Sequence, residues 1–166
     1  MVEYKNVLLC TDFSEDANIA FLHALNLAKK FNAKLHILHV PHSPFTYSKH
    51  IVDEHVPKGK GEEGQAFFDE EIAVEAEKRL RNEYEKRLAD FTNYVIVIKC
   101  GAPDVEIIRY ARRNEIDLIV MGSFGKSERD KDDRGSTVAS VSKYAHCHVM
   151  AIRNPAKQFI LPGKMA

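Results

Sequence analysis

The chain has 166 residues, 45% hydrophobic and 29% charged, a length and composition that suit one compact globular domain. Its 24 Lys and Arg balance 24 Asp and Glu, so no global field favours nucleic acid or an anionic membrane. No apolar stretch approaches the ~20 residues that span a bilayer, and Met1–Asn6 leads into a strand-like run without a signal-type apolar region. A cytoplasmic protein is expected. Cys10, Cys100 and Cys147 lie in or beside apolar runs with no Cys-x-x-Cys pair, which predicts buried, reduced thiols rather than disulfides or a metal site.

Apolar runs alternate with helical stretches, the pattern of βαβ units and a parallel sheet. Val7–Cys10 is a short continuous apolar run, as expected of a strand covered on both faces. Ser14 is placed to cap a helix whose first turn carries Glu15 and Asp16, and Ala17, Phe21, Ala24, Ala28 and Phe31 give it one apolar face. Leu35–Val40 reads as the second strand. Residues 41–66, with Pro41, Pro44, Pro57, Gly59, Gly61 and Gly64, read as a loop insertion. Ile72, Ala76, Leu80, Tyr84 and Leu88 then fall four apart and predict a helix with a charged outer side.

Tyr94–Ile98 is the third predicted strand. Gly101–Asp104 turns into a helix carrying Val105, Ile108 and Ala111, and Asp117–Met121 is the fourth strand. A helix over Ser136–Ala145 and a strand over His148–Ile152 complete one domain spanning 1–154. The tail 155–166, with two prolines and a glycine, reads as irregular.

The stretch that carries chemistry is Met121-Gly122-Ser123-Phe124-Gly125, then nine residues, then Gly135-Ser136-Thr137, leaving a buried strand and entering a helix. Glycines admit a ligand close to the backbone. A helix start offers unpaired N–H groups and a positive dipole end, a natural seat for phosphate, and Ser136 and Thr137 add hydroxyls there. The same pattern also describes a tight turn with a helix cap, so these residues alone leave both readings open.

Gly122-x-x-Gly125-(nine residues)-Gly135-Ser136 resembles the nucleotide loop of the ATP-binding universal stress proteins. Asn6–Glu15, with its aspartate after the first strand, Leu35–Val40, Gly101-Ala102-Pro103 and Asp117–Gly122 are similar to that family's strands and turns in the same order. The resemblance implies a five-stranded parallel sheet of order 3-2-1-4-5 with helices on both faces, a Rossmann-like fold of the adenine nucleotide alpha-hydrolase type. It implies a regulatory stress-response module that binds ATP or another adenine nucleotide. Thr11 and Asp12 would belong to the binding set, with Asp12 contacting the nucleotide or its metal-bound water. Val40 would line the adenine pocket through its backbone, and Met121 and Gly122 would border base and ribose. Gly125, Gly135, Ser136 and Thr137 would hold the phosphates. A carboxylate near a triphosphate implies Mg²⁺ or Mn²⁺ at Asp12. Asp12 has a plainer reading as a turn or capping residue.

The nine residues Lys126–Arg134 depart from the family's usual apolar content: four basic and four acidic side chains make a solvated loop. His36 and His39 would sit on opposite faces of a strand and so not share an ion, and His146-Cys147-His148 likewise diverge. No nucleophile elbow, Walker A lysine or His-Glu-x-x-His pair is present, so an enzyme is not the leading expectation. The rival readings are a slow metal-dependent ATPase using the same site and a nucleotide-free dimeric interaction protein. The last strand is an apolar edge that must be paired or covered: the resemblance implies a homodimer paired through it, and the alternative is that the tail from Pro155 to Pro162, with Phe159, Ile160 and Leu161, folds back over it.

Overall fold

The computed structural model describes residues 1–41, 61–123 and 137–156, with the backbone alone over 61–69. Strands β1 (Asn6–Cys10), β2 (Lys34–His39), β3 (Tyr94–Ile98), β4 (Leu118–Gly122) and β5 (His148–Ile152) form one parallel sheet in the expected order β3-β2-β1-β4-β5. Among the described residues four helical segments connect them: α1 (Glu15–Phe31), α2 (Gly61–Leu80, continuing to Leu88), α3 (Pro103–Arg113) and α4 (Thr137–Tyr144). No helix among the described residues is long and apolar enough to cross a membrane.

Because successive strand residues face opposite ways, the sheet divides the core in two. Val7, Leu9, Leu35, Ile37, Leu118 and Val120 meet Phe21 of α1 and Leu80 and Tyr84 of the α2 segment on one face. Leu8, Cys10, Leu38, Ile119 and Met121 meet Ile107 of α3 and Val141 of α4 on the other. The unbroken apolar runs of β1 and β4 are the sequence form of this double burial.

Ser14 caps α1 as expected, its Oγ accepting from the Ala17 N–H at 3.2 Å. The helix ends where Asn32 takes a left-handed φ of 52° and its N–H closes on the Ala28 and Lys29 carbonyls. The predicted α1 face is observed: Ala17, Phe21, Ala24 and Ala28 are buried, together with Ala20 and Leu25.

Two elements differ from expectation. The second helix starts at Gly61, so 61–66 are helical and not loop, while 42–60 lie outside the described residues. On α3 the buried residues are Ile107 and Ala111, and Val105 is exposed. Of the predicted face, Ala111 is buried and Ile108 packs partly buried against the second core cluster, while Ile107 takes the place expected of Val105.

All three cysteines are free thiols, with Cys10 buried and the other two half-buried. His36 is buried toward Tyr110 of α3 and His39 packs against Phe13. Tyr110 belongs to the second core cluster's surroundings and Phe13 to the first's, so the two histidines do face opposite ways.

Candidate functional site

The chain leaves β1 for β2 on one side and reaches β4 on the other, so β1 and β4 are neighbours whose connections diverge. Such a switch point opens a crevice at the carboxyl ends of the two strands. The register sets Cys10 beside Met121, which puts Thr11 and Asp12 level with Gly122 and Ser123 at that end.

Residues 11–14 form a turn held by their own side chains. Thr11 Oγ1 accepts from the Phe13 N–H at 3.0 Å, and Asp12 Oδ1 accepts from the Ser14 N–H at 3.0 Å. These contacts two residues apart let Phe13 adopt a left-handed φ of 62°, which costs a bulky side chain energy. The plainer role of Asp12, shaping the turn, is therefore present. Phe13 is gripped from three sides: by His39 at 4.7 Å, Tyr84 at 6.3 Å and the Arg79 guanidinium at 4.0 Å from its ring centre. The Thr11 hydroxyl lies 2.6 Å from that of Tyr84, and the Thr11 carbonyl oxygen 2.7 Å from His39 Nδ1. Burial pushes the Tyr84 phenol above its ordinary pKa, so it stays protonated and available to this bond. Thr11 is thus buried and engaged inside the protein, and of the predicted pair it is Asp12 that lies half-exposed at the crevice.

Gly122 has its own structural reason. A Cβ there would lie 2.8 Å from the Ala17 nitrogen and 2.8 Å from Asp16 Cβ, so glycine is what lets the start of α1 pack against the end of β4. Asp16, fully buried at this contact, accepts from the Asn154 N–H at 3.3 Å, while the Ser123 N–H donates to the Ile152 carbonyl at 2.6 Å. The ends of α1, β4 and β5 are thereby joined. Met121 is buried in the second core cluster and Val40 packs against it, one residue beyond β2. Thr137 is the first residue of α4, and Gly125, Gly135 and Ser136 lie outside the described residues.

Sequence reasoning missed Tyr84, His39 and Asp16 as parts of this region. Tyr84 was legible only as a member of an apolar stripe, and its hydroxyl finds Thr11 across 73 positions of sequence. Among the described residues no three His, Cys, Asp or Glu side chains converge to hold a metal ion. A second concavity of about 540 Å³ opens at the opposite end of the sheet, lined by Tyr4, Arg112, Glu115, Asp117, His146 and His148 among others. Its charges are of mixed sign, and the Asp117 carboxylate already accepts from the Lys5 and Asn6 N–H groups at 2.7 and 2.8 Å.

A doubly wound parallel α/β sheet with a crevice at the β1–β4 switch point defines a Rossmann-like α/β domain. The chain belongs to the universal stress protein family, whose model matches residues 3–153. It is 30% identical over 158 residues to universal stress protein MJ0531 of Methanocaldococcus jannaschii, covering 93% of this chain and 85% of that protein. The solved structure of MJ0577, from the same organism, superposes with a TM-score of 0.74 at 27% identity, covering 94% of this chain and all of that one. A universal stress protein solved in complex with cAMP shares the fold at a TM-score of 0.59 and 22% identity, over 91% of this chain and 98% of that one.

Proposed function

We propose that this protein binds an adenine nucleotide, ATP in the first instance, in the crevice between the ends of β1 and β4, and that occupancy sets its regulatory output. One observation carries this reading. Where described side chains open a helix, those of α1 and α3 bring carboxylates, Glu15 and Asp16 in one and Asp104 and Glu106 in the other, and α1 is also closed by the Ser14 cap. Both repel an anion. The first turn of α4 holds no acidic residue, so its positive dipole end carries no charge of its own that would repel phosphate, and Thr137 opens it. The binding of cAMP by a protein of this fold supports an adenine nucleotide as the ligand.

In this reading Val40 and Met121 border the base, Gly122 the ribose, and Gly125, Gly135, Ser136 and Thr137 the phosphates. Thr11 supports the site from beneath through its bond to Tyr84. A divalent cation such as Mg²⁺ or Mn²⁺ would take Asp12 as its protein ligand and complete its shell with phosphate oxygens and water, which is how Mg²⁺ is commonly held. The chain pairs with a second copy through β5, the outermost strand of the sheet.

The test is titration calorimetry with ATP, ADP, AMP and cAMP, with and without Mg²⁺, together with mass spectrometry of the purified protein for retained nucleotide. Asp12→Asn keeps the oxygen that accepts from Ser14 and so keeps the turn, while removing the charge. It should abolish the Mg²⁺ dependence and weaken ATP binding at least about tenfold, the loss of one charged interaction. Equal responses of mutant and wild type to Mg²⁺ would confine Asp12 to its turn.

A further inference from the structure

We infer that Asp104 is a positioning residue for the nucleotide's phosphates, acting through Ser140 to fix the start of α4. This rests on the reading that α4 receives the phosphates. Helix α4 is 8 residues long, and Val141 is its fully buried side chain among the described residues. Val138 packs beside it on the second core cluster, and such non-directional apolar contacts set the depth of a short helix while leaving some freedom to slide and roll. The Ser140 hydroxyl removes that freedom by donating to Asp104 Oδ2 at 2.7 Å, the length of a strong O–H···O⁻ bond.

Asp104 is well held for the task. It stands in the first turn of α3, where the helix dipole favours its charge, directly after Pro103 has fixed the entry angle. That turn is set by Gly101, whose φ of 148° suits glycine and against which the Glu106 side chain folds. The chain of constraint runs from the exit of β3 through Asp104 to Ser140, one turn below Thr137. A phosphate bound by N–H groups is sensitive to displacements of a fraction of an ångström, so a loosened α4 binds more weakly even when the sheet is intact.

Three variants separate positioning from plain stability: Ser140→Ala, Asp104→Ala and Asp104→Asn. ATP affinity is measured by calorimetry at a temperature where circular dichroism shows each variant folded. Ser140→Ala and Asp104→Ala should each weaken ATP binding roughly tenfold, with the double variant no weaker than either single one, as for two ends of one interaction. Asp104→Asn keeps an acceptor for Ser140 and should restore affinity to within about twofold of wild type. Affinities unchanged in both alanine variants, with only the melting temperature lowered, would overturn the inference while leaving nucleotide binding in place. A wild-type protein that binds no adenine nucleotide would overturn both.

Discussion

His36 sits on the α3 face of β2, its Nδ1 2.8 Å from the Tyr110 hydroxyl and its Nε2 3.4 Å from Asn6 Oδ1. Burial, with a smaller contribution from Lys34, lowers its pKa from 6.5 to about 4, so it is neutral in the folded protein near pH 7. The unfolded chain takes up a proton at higher pH than the folded one. The stabilisation is therefore whole above about pH 6.5 and is lost as pH falls toward 4, by at most about 3 kcal/mol. His36→Gln should flatten the pH dependence of the urea midpoint across that interval. A midpoint that falls as steeply in the variant would place the acid sensitivity elsewhere. The spacing of His36 and His39 foretold opposite faces, because strand geometry alone decides it. It did not foretell their partners, Tyr110 and Thr11, since those pairings cross 74 and 28 positions of chain.

At the level of elements, legibility follows locality. β1 and β4 were readable because burial on both faces leaves a continuous apolar run, and α1 because its cap and its alanine stripe are local signals. The four-residue spacing through Ala76, Leu80, Tyr84 and Leu88 also proved to be the buried stripe, yet a spacing of four drifts around an ideal helix of 3.6 residues per turn. The chain corrects the drift with a π-helical turn over Arg81–Glu85, which widens the repeat and keeps Tyr84 on the sheet. Arg81, bonded to Glu77 and Glu85, braces that turn from outside. The glycine loop after β4 was readable as a candidate site, but the demand on Gly122 was not: it comes from α1, more than a hundred residues earlier. Gly122→Ala should cost about 1–3 kcal/mol of stability, because the atoms met by the new Cβ belong largely to the α1 backbone, which yields little. An unchanged urea midpoint would show that α1 shifts freely on the sheet.

For the whole molecule, the outer edge of β5 is where the proposed dimer would pair. The His148 N–H donates to Asp117 and the Ile152 carbonyl accepts from Ser123, so the alternate residues Val149 and Ala151 turn their backbone groups away from β4. Val149 is half-buried on the sheet's own core, whereas Ala151 is exposed, so Ala151 is the position to alter without disturbing packing. Ala151→Pro removes the outward N–H from an edge strand, a place where proline is tolerated. Light scattering should show a wild-type dimer at micromolar concentration and a folded monomer for the variant. A wild-type monomer would end the edge-pairing proposal.

The burial of Cys10 bears on how such a molecule meets oxidative conditions. Its thiol is pushed far above the usual cysteine range by the packing around it, and Cys147 is raised by burial as well. The thiolate is the form that attacks peroxides and alkylating reagents, and both sulfurs are held toward the thiol form. With Cys10 buried, oxidation of its sulfur should follow the opening of the β1 core, a coupling that peroxide labelling across a urea series would read.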